Sequence, residues 1–291
     1  MKRILFSALA VLQLALAGQD GGLEQQAFFS GMDYTLETKF GAPFFGKDEN
    51  PELIWVLSVN SSDLASGRIS PENQKINFKV NDLRPGITVA GNLRFGSHAR
   101  RRPVAVYFFA RDPFPELRRF KRFSVGLYPA DSPLNSLLEN YDFEYEKIEA
   151  PEKFRGQVLF ISGVDFDKNP KLLDPLLRRL PRGRKIVVLP PVSGTLKFPA
   201  SMFTKTTLLP PNGIQEMRRE FDALPLAYNI NMQTSGDSLT LKFSDKGQGS
   251  GGVVLDTRQG GKLIFSGWSL DDLTNPTGIY LLRYHMRPDI R

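Results

Sequence analysis

Apolar and polar residues change rhythm about two-fifths of the way along the chain. In the first part they alternate over short stretches. Ile76, Phe78 and Val80 are separated by Asn77 and Lys79, and Leu53, Trp55 and Leu57 repeat the pattern. A period of two places one set of side chains on one face of a strand. This predicts strands over 34–40, 53–59, 75–80, 87–95 and 104–109, with Trp55 in the core. Turn formers separate them: Gly41-Ala42-Pro43, Ser61-Ser62-Asp63, Ser70-Pro71-Glu72-Asn73 and Arg84-Pro85-Gly86. Short strands at this spacing predict a small antiparallel β-sandwich over 20–110. Residues 111–122, rich in Pro and Arg, read as a linker.

From residue 123 the pattern mixes two periods. Strands are predicted over 123–128, 143–148, 157–164 and 185–189; the continuous apolar run of 157–164 suits a strand covered on both faces. Helices are predicted from Asp131-Ser132-Pro133, with Leu134, Leu137, Leu138 and Tyr141 on one face, and from Asp174-Pro175, with Leu176, Leu177 and Leu180 inward. A further helix is expected over 212–223, strands over 238–243, 252–256 and 262–266, and a last helix over 275–286. Strands alternating with helices predict an α/β fold: a mostly parallel sheet with helices on both sides and a C-terminal β-hairpin, over 123–291.

The N-terminus carries Lys2 and Arg3, an apolar run from Ile4, and Ala15-Leu16-Ala17. This is the layout of a cleavable secretory signal over 1–17, with retention as an uncleaved anchor the alternative. The mature chain is therefore expected to be secreted or periplasmic, with no transmembrane segment after cleavage. The absence of Cys excludes disulfides, thiolate metal sites and Cys nucleophiles. The net charge of +7 becomes +5 without Lys2 and Arg3, leaving 36 basic and 31 acidic residues. The basic residues cluster at Arg100-Arg101-Arg102, at 118–122 and at 178–185. Such clusters either solvate a surface or meet anionic envelope polymers. No aromatic-rich strand motif accompanies them, so nucleic acid is not an expected partner.

Three features of 123–286 resemble the class I glutamine amidotransferase-like fold, a flavodoxin-like sandwich. One is the strand-helix-strand opening that ends in Phe143-Glu144-Tyr145-Glu146-Lys147-Ile148. The second is the strand ending in Ile161-Ser162-Gly163, followed by a helix and Lys185-Ile186-Val187-Val188-Leu189. The third is the late hairpin through Gly261-Lys262-Leu263-Ile264-Phe265-Ser266-Gly267, leading past Asp271-Asp272-Leu273 and Asn275-Pro276 into a helix. The resemblance implies a non-catalytic version of that fold, because its members use a Cys on a tight elbow. Here the corresponding stretch reads Pro190-Pro191-Val192-Ser193-Gly194.

Candidate chemistry is sparse. Ser193 would need a His base, and the chain has only His98 and His285. Asp165 and Asp167 follow one predicted strand and Asp271 follows the last, at the end where open parallel sheets bind ligands. They either cap and solvate loops or bind a ligand. Trp268, beside Asp271, would stack on a sugar or pack beneath its loop. Two His residues do not make a His-rich metal site, and no cofactor is expected. The glycine-rich stretch 247–252 is followed by no predicted helix, so it fails as a phosphate loop. The expected function is an exported non-catalytic binding or assembly protein with an envelope protein or a glycan as partner. The alternative is a glycan-acting hydrolase or carbohydrate-binding module using Asp165, Asp271 and Trp268.

Overall fold

The computed structural model describes residues 11–13, 26–38, 52–96, 102–119, 123–209, 229–244, 251–267 and 276–287. The chain divides into two compact units, Met1–Pro113 and Phe114–Arg291.

The first unit contains β1 (Val11–Gln13), β2 (Gln26–Phe29), β3 (Asp33–Glu37), β4 (Leu53–Val59), β5 (Ser62–Ile69), β6 (Lys75–Lys79), β7 (Thr88–Gly96) and β8 (Arg102–Phe109). They form one sheet in the order β1-β3-β6 and another in the order β2-β8-β7-β4-β5. Alternation drives the packing. Leu36, Ile76 and Phe78 share one core with Trp55, Leu57, Phe95 and Phe108, and burying each such side chain contributes roughly 1.5–3 kcal/mol. Tyr34 packs edge-on to Phe28 at 4.8 Å between ring centres. Its hydroxyl donates to the Phe29 carbonyl at 2.9 Å and accepts from the Phe29 N–H at 2.8 Å. Burial pushes its pKa up to about 12, against the opposing effects of the Phe29 bond and Arg111.

The expected purely antiparallel arrangement is not what forms. β2 runs parallel to β8; β1, which also pairs in parallel, with β3, lies within the stretch read as a signal. Parallel neighbours need a long connection, which the long stretch of chain between β2 and β8 supplies.

The second unit contains β9 (Val125–Tyr128), α1 (Leu134–Asn140), β10 (Glu146–Lys147), β11 (Val158–Asp165), α2 (Asp174–Leu177), β12 (Lys185–Ser193), β13 (Thr195–Pro199), β14 (Phe203–Leu209), β15 (Asn229–Ser235), β16 (Ser238–Ser244), β17 (Gly252–Thr257), β18 (Lys262–Ser266) and α3 (Pro276–Met286). A seven-stranded sheet runs β10-β9-β11-β12-β18-β17-β14, and a separate three-stranded sheet runs β13-β16-β15. β17 and β14 are antiparallel to their neighbours, as is every pair in the smaller sheet.

These observations overturn the expectation of a mostly parallel, flavodoxin-like α/β fold. The protein is mainly strand, in several mixed and antiparallel sheets. Two local causes are visible. The expected helices after β9 and β11 are only 7 and 4 residues long, and Pro181 and Gly183 stop the second from extending. Residues assigned to no element in sequence, in β13, β14 and β15, form strands. The apolar faces of β13 and β16, with Leu196, Phe198, Leu239, Leu241 and Phe243, cover the large sheet where helices were expected. The strand expected over 143–148 shrinks to Glu146–Lys147. The helix expected over 212–223 lies outside the described residues.

The centre of this unit is the pair β11 and β12. Leu159, Ile161, Ile186 and Val188 face the smaller sheet, and the alternate residues Phe160, Val187 and Leu189 are equally buried. On the Val187 face, Lys185 Nζ donates to the Arg287 carbonyl at 2.7 Å, tying the start of β12 to the end of α3. Buried Arg283 of α3 pairs with Glu116 at 3.0 Å.

The stretch read as a linker makes defined contacts within each unit. Arg111 donates to the Ser30 carbonyl at 3.0 Å in the first. In the second, fully buried Phe114 meets Phe143 at 5.1 Å between ring centres.

His285, on α3, is buried, and neither ring nitrogen is hydrogen-bonded among the described residues. Burial, reinforced by the Lys185 charge, pulls its pKa down to about 3 from 6.5. Between those values the unfolded chain binds the extra proton, so stability falls as the pH drops from 6.5 toward 3, by about 1 kcal/mol per pH unit. Replacing the imidazole removes this dependence. In urea unfolding at neutral and mildly acid pH, His285→Leu is expected to lose less stability on acidification than the wild type. Parallel losses would show that His285 does not set the acid limit.

Candidate functional site

The structure describes three of the candidate residues, Asp165, Asp167 and Ser193, and gathers them where β11 and β12 end. Asp165 and Ser193 are register partners, the last residues of their strands. The Phe166 N–H donates to the Ser193 carbonyl at 3.0 Å. Trp268 and Asp271 lie outside the described residues, as does His98.

Each carboxylate is occupied by the turn it sits in. Asp165 Oδ1 accepts the Asp167 N–H at 3.0 Å, and Oδ2 pairs with Lys168 Nζ at 3.3 Å. Desolvation would raise the Asp165 carboxyl, but the Lys168 side-chain hydrogen bond and the Asp167 and Lys168 backbone N–H groups outweigh it and hold it below its ordinary value. It therefore stays ionised near neutrality and is unsuited to act as a general acid. Asp167 Oδ1 reaches across to accept the Thr195 N–H at 3.0 Å. This braces the turn between β12 and β13, where Gly194 has φ +92°. A side chain there would stand 2.7 Å from the Asp167 nitrogen.

Ser193 is exposed, and its hydroxyl has no hydrogen-bond partner among the described residues. Among the described residues no imidazole joins it: His285, on α3, is buried and makes no hydrogen bond to them. The nucleophile-base contact that acyl transfer needs is not formed there. Among the described residues, no three His, Cys, Asp or Glu side chains converge as a metal site requires.

Two clefts among the described residues lie elsewhere. One of about 160 Å³ is lined by β14 residues including Lys205 and Thr206. The other, of about 130 Å³, lies at the opposite ends of β11 and β12 from Asp165 and Ser193. Arg155, Arg179 and Arg184 line it around Phe154, Leu159 and Leu176. Sequence reasoning had grouped Arg179 and Arg184 with their chain neighbours. It missed Arg155, which comes from the turn before β11. The available signal was the Phe154-Arg155-Gly156 triplet: a side chain at residue 156 would collide with the Phe154 ring at 2.2 Å, so a glycine there leaves room for the ring.

No protein-family model matches the chain, and no curated protein resembles it. Among solved structures, a sialyltransferase from Photobacterium damsela is similar over 58% of this chain and 36% of its own, at 12% identity and a TM-score of 0.20. An endo-fucoidan hydrolase from glycoside hydrolase family 107 is similar over 84% of this chain and 27% of its own, at 11% identity and a TM-score of 0.16. The chain thus spans well under half of either protein. Similarity this slight carries no argument about fold or function.

The bracing role of Asp167 separates two glycine substitutions. Gly163 also has positive φ, +67°, but open space around it. Gly163→Ala is expected to cost roughly 1–2 kcal/mol, the strain of left-handed backbone. Gly194→Ala is expected to cost more, because the new methyl also displaces Asp167. Urea denaturation of both variants measures the difference, and equal costs would show that the Asp167 contact does not hold this turn.

Proposed function

We propose that this chain is an exported, non-catalytic binding or assembly protein of the envelope or extracellular space. The observation that carries this reading is the fate of the strand-end polar residues. Both Asp165 oxygens and Asp167 Oδ1 are engaged by backbone N–H groups and Lys168, and Ser193 has no base among the described residues. The absence of Cys removes the remaining common nucleophile. Export rests on the N-terminal signal pattern. Binding draws support from the basic surface: Arg178, Arg179 and Arg182 are all exposed, and a surface of one sign attracts anionic partners over a screening length of about 8 Å at physiological salt. The lowered Asp165 carboxyl gives the hydrolase alternative no general acid at this position.

The test is a native pull-down of the mature protein from its own envelope or secreted fraction, at low and high salt. A protein or glycan is expected to be retained stoichiometrically at low salt and released at high salt. Ser193→Ala and Asp165→Ala are expected to retain it equally well. A measurable turnover that either substitution abolishes would overturn the proposal.

A further inference from the structure

We infer that the cleft at the amino ends of β11 and β12 binds a phosphate or sulfate monoester: a tetrahedral oxyanion carried on an apolar stem. The inference stands apart from the reading above, since it uses none of the strand-end carboxylates and holds whether or not the chain is exported.

Arg155, Arg179, Arg184 and Lys185 line the cleft against one carboxylate, Glu152. Two of the four cations are committed. Lys185 Nζ is held by the Arg287 carbonyl, and Arg155 Nη1 donates to the carbonyls of Glu152 and Phe154 at 2.7 and 3.0 Å. Arg179 and Arg184 have no acidic partner among the described residues, although Glu152 lines the same cleft. Arg184 is half-buried, so its charge is partly desolvated and uncompensated, an unfavourable state that an anion relieves. Paired guanidinium forks match the geometry of phosphate and sulfate oxygens.

The three arginines share the cleft with an apolar floor of Phe154, Leu159, Leu176 and Ile186, whereas the Lys185 ammonium is turned to the other face of the sheet. A purely hydrated surface patch needs no such floor. At about 130 Å³ the cleft is smaller than the roughly 300–1,000 Å³ that encloses a whole drug-sized ligand, so it takes an end group and the first atoms of its stem.

Arg179 and Arg184 flank residues 180–183, after α2 and before β12, and Lys185 opens β12 itself. The backbone of this approach is anchored: the Arg184 N–H donates to the Pro181 carbonyl at 3.1 Å, and the Arg184 carbonyl accepts the Lys262 N–H at 3.0 Å. Arg184 is therefore presented from a fixed backbone.

The test is calorimetric titration of the mature protein with phenyl phosphate, inorganic phosphate and phenol. Phenyl phosphate is expected to saturate one site, inorganic phosphate to bind more weakly, and phenol not to bind. Arg179→Ala and Arg184→Ala are each expected to weaken phenyl phosphate by about tenfold or more, the loss of a charge-assisted hydrogen bond. Arg179→Lys and Arg184→Lys, which keep the charge and the stem, serve if an alanine variant fails to fold, and are expected to weaken binding less. No saturable binding by either phosphate, or unchanged binding in both arginine variants, would overturn the site. Equal affinity for inorganic phosphate would overturn the apolar stem and leave the free ion as ligand.

Discussion

Everything in the larger unit depends on two adjacent strands being dry on both faces. β11 and β12 bury Leu159, Phe160 and Ile161 beside Ile186, Val187, Val188 and Leu189. Their backbone groups can be satisfied only by each other and by their sheet neighbours, because no water reaches them. Parallel pairing in register does this. Each face must then be covered. One is covered by the apolar side of the three-stranded sheet. On the other, the Lys185–Arg287 bond fixes the end of α3 beside β12.

The same constraint explains why polar side chains at the strand ends serve structure. A chain leaving a buried strand must turn sharply, and its freed N–H groups need acceptors. Asp165 accepts from two residues further on, and Asp167 accepts from across the turn. Aspartate does this readily because its short side chain reaches nearby backbone. The result is a braced corner at β12–β13, with both Asp165 oxygens and Asp167 Oδ1 already engaged. His285 is a different case: a buried ionisable group kept neutral by its surroundings, which ties stability of the fold to pH without a hydrogen bond to any described residue.

The other ends of the same strands carry the opposite chemistry. There the turns bring arginines, whose long side chains spread over apolar surface while their charged heads remain accessible. Two of these heads find no carboxylate among the described residues. The polarity of the strand pair thus runs from a cationic cleft at its amino ends to a self-satisfied acidic corner at its carboxyl ends.

Alternation alone placed the strands around Leu53, Ile76 and Val104, and the apolar runs alone marked β11 and β12 as buried, because side-chain period and unbroken hydrophobicity are properties of neighbouring residues. The absence of a Cys nucleophile and the basic clusters were likewise legible directly. What covers the central strands was not. β13 is short and bounded by Gly194 and Pro199, and a five-residue strand such as Thr195–Pro199, with only Leu196 and Phe198 apolar and inward, has no local feature that distinguishes a covering sheet from loop. Sheet direction was equally hidden: the parallel pairing of β2 with β8 joins residues far apart in sequence. The engagement of Asp165 and Asp167 followed from turn geometry, and the meeting of Arg155 with Arg179 and Arg184 from two separate segments converging on one strand end. Local order comes from adjacent residues, whereas coverage, direction and convergence come from the burial of surfaces that the chain brings together only when folded.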